Sequence, residues 1–161
     1  MSDQATPGVE ITVIPNNGSI QKIWPFVEPM FRTATDRSSG RYETSDILGE
    51  LIRGESHLWV TFTMEEEPRI IHTINTRFMQ YPRKRALAVI FGCGLDNLID
   101  EWIALLDRKL EKFAYDNGCD MLEMAGRRGW GRKVKDVGWE EKYCFVERPL
   151  ALEDLDVRKS A

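Results

Sequence analysis

The sequence lacks any long apolar run and has few histidines and cysteines. No stretch approaches the roughly 20 apolar residues that a membrane-spanning helix needs, and the first residues are polar, without the apolar core of a secretory signal. We therefore expect a cytoplasmic protein. Cys93, Cys119 and Cys144 are odd in number and far apart, which favours reduced thiols over a disulfide framework. His57 and His72 have no close ligand spacing to any cysteine, so no metal site is predicted.

The chain also lacks an excess of positive charge. Its formal net charge is −4, whereas nucleic-acid-binding modules usually carry a basic excess. Nucleic-acid binding is therefore not expected as the main function, but basic residues at 83–85 and 127–135 leave local binding open. The apolar content is 42%, enough for one core without staples. We expect one domain over residues 1–161, with a core at about 9–150 and short polar tails.

Hydrophobic periodicity divides the chain into ten elements. Alternating apolar residues predict strands, and apolar residues spaced by three and four predict helices. Pro25 and Pro29 predict a kink or restart near Trp24 in the first helix, which Ser19 is expected to cap. The predicted strands cover 9–15, 57–63, 69–78, 85–91, 119–125 and 141–146, and the predicted helices about 19–31, 44–52, 98–114 and 129–137.

Short turns join the second, third and fourth predicted strands, so these strands are expected to form an antiparallel meander. In the third, the alternation predicts that Ile70, Ile74 and Phe78 share one face. The order β-α-α-β-β-β-α-β-α-β predicts a mixed α/β fold, with one central sheet flanked by helices.

This order resembles that of the GNAT (N-acetyltransferase) superfamily over about residues 9–150. The most specific match is the block 119–124 (CDMLEM), followed by Gly129-Trp130 and then Gly138-Trp139. Segments 21–29 (QKIWPFVEP) and 126–130 (GRRGW) are similar to small GNAT-like proteins of tailed bacteriophages and prophages. The resemblance implies that the fourth and fifth strands splay apart and open a slot between 88–91 and 122–125.

The resemblance also implies an acyl-CoA site, where a Gly-rich turn starting with Arg or Gln binds the pyrophosphate at the start of the long helix. Here residues 91–97 read FGCGLDN, with no Arg or Gln at the family spacing. Asp96, Asp100 and Glu101 add negative charge, which suits a helix start but competes with a phosphate. Two interpretations stay open: a plain strand-to-helix turn, or a site for acetyl-CoA or another acyl-CoA formed by Ile90, Phe91, Gly92, Cys93 and Gly94.

The acid and base positions of the family are also altered. Counting back from Gly138, Val134 stands where the family has a proton-donating Tyr, and Arg127 where it often has Asn. The remaining candidates are Glu123 as a general base and Tyr143 as an acid. Asn75 with a water molecule is a further candidate base, and Cys144 a further candidate acid.

A basic segment near the C-terminus allows two interpretations. Its residues can form a phosphate-facing or partner-facing patch with Trp130 as a stacking platform. Alternatively, Trp130 turns into the core and the charges form a solvated helix face. The patch would consist of Arg83, Arg127, Arg128, Trp130 and Arg132.

Two functions follow from the resemblance. The altered motifs favour a non-catalytic phage-type GNAT-fold protein that acts in particle assembly or as an accessory interaction module. Its partner would be a phage structural protein or a host protein, and it would lie in the host cytoplasm or in the virion. The alternative is an acyl-CoA-dependent N-acyltransferase that acetylates an amine.

Overall fold

The computed structural model describes residues 8–94, 99–126 and 128–151. They form one five-stranded sheet in the order β1-β2-β3-β4-β5, antiparallel except for the parallel pair β4 and β5. This confirms the predicted mixed α/β fold. The elements are β1 (Val9–Val13), α1 (Ser19–Thr35), α2 (Thr44–Ile52), β2 (His57–Thr63), β3 (Ile70–Gln80), β4 (Arg85–Gly94), α3 (Ile99–Asp116), β5 (Met121–Met124) and α4 (Arg128–Val134), which a 3-10 turn (Lys135–Val137) follows.

The helices cover both faces of the sheet. On one face, Phe31 of α1 and Leu51 of α2 pack with Leu58 of β2. On the other face, Trp102 of α3 packs in one cluster with Trp59 of β2. Because successive residues of a strand point to opposite faces, β2 contributes to both clusters.

The first helix differs from its prediction. It runs without interruption through Pro25 and Pro29, because the apolar stripe of a 17-residue helix packs on the sheet and outweighs two lost backbone hydrogen bonds. Ser19 is the first helical residue and not the cap. The Asn17 side chain accepts hydrogen bonds from the Ser19 N–H and hydroxyl (3.3 and 2.7 Å).

The prediction that Ile70 shares a face with Ile74 and Phe78 is wrong, because β3 contains a β-bulge. The pairing with β2 steps from Thr61↔His72 to Phe62↔Ile70, which leaves Ile71 as the extra residue. An extra residue reverses the alternation of a strand. Ile70 therefore packs beside α1 and α2, while Ile74 packs beside α3.

The predicted last strand, 141–146, is not formed. Residues 140–151 lie in neither helix nor strand, and β5 is the end strand of the sheet among the described residues. The reason lies in the tertiary contacts, since both ends of this segment are bound to other parts of the chain. Trp139 Nε1 donates to Asp107 of α3 (2.7 Å), and Glu147 pairs with Arg41 (2.7 Å).

The close approach of β3 and β4 gives a prediction about Gly94. A Cβ atom on Gly94 would lie 2.5 Å from the Ile71 carbonyl oxygen and 2.8 Å from His72 Cδ2. Gly94→Ala is therefore expected to lower the free energy of unfolding by about 3 kcal/mol, measured by urea denaturation.

Gly129→Ala is the matched control. A Cβ atom there meets no described atom within 4 Å, and alanine favours a helix over glycine by about 0.5–1 kcal/mol. Equal unfolding midpoints for the two variants would contradict the packing role of Gly94.

Candidate functional site

Strands β4 and β5 stay together for four residue pairs and then part. The pairing runs from Ala86↔Met121 to Val89↔Met124. Beyond it β4 continues to Gly94, whereas the chain after β5 leads into α4. The gap that opens between these two strands beyond Val89 and Met124 is called the slot below. The slot implied by the resemblance began earlier, at 88 and 122, where the strands still pair.

A bulge in β4 coincides with the parting. The register with β3 steps from Thr76↔Val89 to Asn75↔Phe91, which leaves Ile90 as the extra residue. The Asn75 side-chain oxygen accepts a hydrogen bond from the Phe91 N–H (3.0 Å), and Asn75 is fully buried. Asn75, one of the candidate bases, thus has a bond to the backbone, while its Nδ2 has no hydrogen-bond partner among the described residues.

A cavity of about 60 Å³ lies at the slot, on the α3 side of the sheet. Most of its lining is apolar, contributed by β4, α3, the end of β5 and α4. Its lining includes Val89, Ile90, Gly92, Leu106, Met124, Gly126, Trp130, Val134 and Trp139.

The bulge divides the candidate coenzyme-binding residues between the two faces of the sheet. Ile90 and Gly92 line the cavity. Phe91 and Cys93 pack against the α1 and α2 cluster, where the Phe91 ring lies 5.1 Å from that of Tyr42. Burial raises the pKa of the Cys93 thiol to about 12, so this thiol stays protonated and is a poor nucleophile.

His72 directs an unpaired ring nitrogen into the same region. Its side chain is 5% exposed and lines the cavity, and its Nε2 has no hydrogen-bond partner in the part of the chain that the structure describes. Gly92 lies just beyond, because a Cβ atom built on it would be 3.9 Å from this nitrogen. Burial lowers the pKa of His72 to about 4, so the ring is neutral at pH 7. Sequence reasoning missed His72, since a histidine in a strand usually packs.

The two candidate catalytic residues have different surroundings. Strand alternation places Glu123 on the face opposite to Met124 and the cavity. The Tyr81 hydroxyl donates a hydrogen bond to Glu123 (2.7 Å), and this bond raises the pKa of the Tyr81 phenol. Tyr143 is 94% exposed in the segment outside the sheet and does not line the cavity.

Helix α4 closes the α3 side of the slot with apolar side chains. Trp130 packs against the α3 cluster, and its ring lies close to both Gly92 and Gly126. The second interpretation of Trp130, as a core residue, therefore agrees with the structure. Val134, at the family's Tyr position, is buried and lines the cavity.

The other residues of the predicted basic patch are not shown to gather around this inward-facing tryptophan, and Arg83 lies in the turn before β4, far from Gly92 and Trp130. Arg83 and Arg132 are exposed. Arg127 lies outside the described residues, and of Arg128 only the backbone is described, as the start of α4. The predicted acidic start of the long helix also lies outside this description. Asp96 is outside the described residues, and so are the Asp100 and Glu101 side chains.

Two further results concern the described residues alone. They contain no group of three or more His, Cys, Asp or Glu side chains placed to hold a metal ion. None of their helices combines the length and apolar character needed to cross a membrane.

This chain is similar to known proteins in its three-dimensional structure. No protein-family model and no curated protein sequence matches the chain. Among solved structures, a tetramutant of BH1408 from Bacillus halodurans superposes with a TM-score of 0.65 at 13% identity, over 88% of this chain and 99% of that one. A probable acetyltransferase gives 0.63 at 12% identity, over 88% and 97%.

An enzyme with a bound ligand is also similar. The aminoglycoside acetyltransferase meta-AAC0020 from an uncultured soil metagenomic sample, in complex with sisomicin, gives a TM-score of 0.63 at 12% identity, over 89% of this chain and 97% of that one. The chain adopts the GNAT fold. At these identities the similarity establishes the GNAT fold alone, so the activity must be argued from the site.

Burial of His72 predicts a loss of stability in acid. The unfolded state binds a proton with a pKa near 6.5, whereas folded His72 resists protonation down to about pH 4. Stability is therefore complete above about pH 6.5 and falls as the pH drops towards 4. Between pH 7 and pH 5 the unfolding free energy is expected to fall by about 2 kcal/mol from this group.

Urea unfolding at several pH values measures this effect. His72→Leu is expected to flatten the dependence, leaving the smaller part due to His57, whose pKa burial also lowers. An unchanged pH dependence in His72→Leu would show that His72 is not buried in its neutral form.

Proposed function

We propose that this chain binds an acyl-CoA at the slot and transfers its acyl group to an amine. The observation that carries the proposal is the parting of β4 and β5 directly beside an apolar cavity. Apolar pockets with a few polar groups are the usual form of small-molecule sites, and two of the similar structures described above are acetyltransferases by name.

The cavity volume favours a small acyl group. A dry cavity of about 150 Å³ holds benzene, so about 60 Å³ leaves room for two or three carbon atoms. An acetyl group fits this volume, so acetyl-CoA is the donor that we propose.

In the proposed reaction, the acyl group and the general base lie on opposite faces of the sheet. The acyl group enters from the α3 face, and Glu123 lies on the opposite face. Next to that face a polar groove of about 400 Å³ runs along α2 and is lined by Tyr42, Asp46 and Glu50. Contact between Tyr42 and Phe91 brings this groove close to the slot. Arg41 and Arg53 also line the groove and balance its two carboxylates, so the groove suits a polar acceptor without selecting for positive charge.

In the proposed reaction, Glu123 is the general base. The amine nitrogen bonds to the acyl carbon, the bond from that carbon to sulfur breaks, and Glu123 takes the proton that the nitrogen loses. The sulfur leaves as a thiolate. A thiol has a pKa near 8.5, so this leaving group needs less help from an acid than an alkoxide does. Acyl transfer is therefore compatible, at a low rate, with Val134 at the position where the family has a proton-donating Tyr.

Calorimetric titration of the full chain with acetyl-CoA is the test of binding. Heat of binding and a higher melting temperature are expected at submillimolar ligand. Absence of both at millimolar acetyl-CoA would remove the enzyme proposal.

Two variants separate the candidate catalytic residues. Glu123→Gln keeps an acceptor for Tyr81 but cannot take a proton, so the rate of thiol release with an amine acceptor should fall about 100-fold, with acetyl-CoA affinity unchanged. Tyr143→Phe is the control and should match the wild type, because this hydroxyl is exposed. A larger loss in Tyr143→Phe would reverse the assignment.

A second candidate is the non-catalytic phage-type module, in particle assembly or as an accessory protein. Two observations favour it: Val134 is buried where a proton donor would be expected, and large apolar side chains of the C-terminal segment are exposed. Such a protein would lie in the host cytoplasm or in a virion, bound to a phage or host protein. Absence of the polypeptide from purified virions, and of any co-purifying phage or host protein, would count against it.

The predicted basic patch does not support nucleic-acid binding. A stacking platform needs an exposed aromatic ring, and the Trp130 ring packs inward.

A further inference from the structure

The His72 ring brings an unsatisfied polar atom to the cavity at the slot. A few buried side-chain atoms of the described chain have no hydrogen-bond partner, and they belong to Glu50, Ser56, His72, Asn75, Arg85 and Trp102. Of these residues, His72 alone is among those that line the cavity. A buried polar atom without a partner costs stability, and in a native protein it usually points to a bound water, an ion or a ligand.

Two glycines of β4 allow this ring to reach the cavity from the neighbouring strand. His72 lies opposite Gly94 in the pairing of β3 with β4, where a Cβ atom would be 2.8 Å from its ring carbon Cδ2. On Gly92 a Cβ atom would be 3.9 Å from Nε2. The ring also packs against Trp102, with 4.9 Å between the ring centres. These contacts hold the imidazole in place with Nε2 beside the cavity.

The other polar side chains of the cavity lining differ from His72. Asp107 already accepts a hydrogen bond from Trp139 Nε1 (2.7 Å), and both residues belong to the lining. Apart from Trp130, the remaining lining residues are aliphatic, methionine or glycine. In an apolar pocket, a single well-placed polar group fixes the orientation of a ligand. His72 Nε2 is the buried group in position to do so.

We infer that His72 Nε2 donates a hydrogen bond to the carbonyl oxygen of the acyl thioester. The inference rests on the acyl-CoA binding proposed above. An acetyl group has one hydrogen-bonding atom, its carbonyl oxygen, and this oxygen can only accept. A neutral imidazole has one N–H, so the donor is the tautomer with its proton on Nε2. The other tautomer would turn a lone pair towards the oxygen and repel it.

The same hydrogen bond becomes stronger during acyl transfer. When the amine nitrogen bonds to the acyl carbon, an electron pair moves onto the carbonyl oxygen and gives it negative charge. A fixed donor aimed at this oxygen in a site that excludes water stabilises that charge. The electron pair returns when the bond from carbon to sulfur breaks, and His72 keeps its proton throughout. His72 therefore acts beside Glu123 without taking part in proton transfer.

Calorimetric titration of the full chain with acetyl-CoA and with S-ethyl-CoA tests the contact. The S-ethyl thioether has the same number of carbon atoms in the group on sulfur but lacks the carbonyl oxygen. The wild type is expected to bind acetyl-CoA about fivefold more tightly than S-ethyl-CoA. His72→Leu should bind the two ligands equally. His72→Gln, which keeps an N–H donor, should retain part of the preference.

The outcomes of this titration separate the inference from the proposed function. Equal affinities in the wild type, or an unchanged preference in His72→Leu, would overturn the role of His72 and leave acyl-CoA binding intact. Failure of the wild type to bind either ligand would overturn both.

Nitrogen-15 NMR of the wild type gives a second readout that needs no substitution. The chain has two histidines. His57 is the internal control, because its ring packs against Phe78 and Phe113 (4.7 and 5.0 Å) and is outside the cavity lining. His72 is expected to be protonated on Nε2, and acetyl-CoA should shift this nitrogen more than S-ethyl-CoA does. Protonation of His72 on Nδ1 in the complex, or equal shifts with the two ligands, would overturn the inference.

Discussion

One hydrogen bond holds the arrangement on which the site depends. The Phe91 N–H donates to the Asn75 side chain inside the sheet, and this bond fixes Ile90 as an extra residue in β4. A bulge bends and twists the strand that contains it, so β4 turns away from β5 directly after Val89. Three features follow from this bend: the cavity, the direction in which Gly92 faces, and the placement of Phe91 and Ile90 on opposite faces of the sheet.

The bend also explains why the segment that contains the two glycines of β4 differs from a phosphate-binding turn. Gly94 is required because the Ile71 carbonyl and the His72 ring occupy the space of a side chain. Gly92 borders the cavity, where a Cβ atom would meet Ile74 at 3.3 Å. Contacts within the sheet therefore account for Gly94, while Gly92 stays beside the proposed ligand. Under the proposed function, ligand binding depends on the shape of the slot more than on a motif of charged residues.

Periodicity was enough to predict the order of the first nine elements, because apolar stripes and turn residues are local signals. The slot was implied by the resemblance to the GNAT fold, although the two strands part later along their length than the resemblance implies. Bulges at Ile71 and Ile90 were not predictable, since one extra residue changes the face of a side chain without changing composition. The last strand was predicted wrongly because 141–146 has strand periodicity, whereas contacts of Trp139 and Glu147 with distant residues decide its position.

Hydrogen exchange of backbone amides with and without acetyl-CoA tests the central claim most directly, since it reports where on the sheet the ligand lies. Slower exchange is predicted for 90–94 in β4 and for 124–126 after β5, with the β1 and β2 amides unchanged. Unchanged exchange at 90–94 under saturating acetyl-CoA, or protection confined to the outer surface of α4, would contradict a binding site between the parted strands.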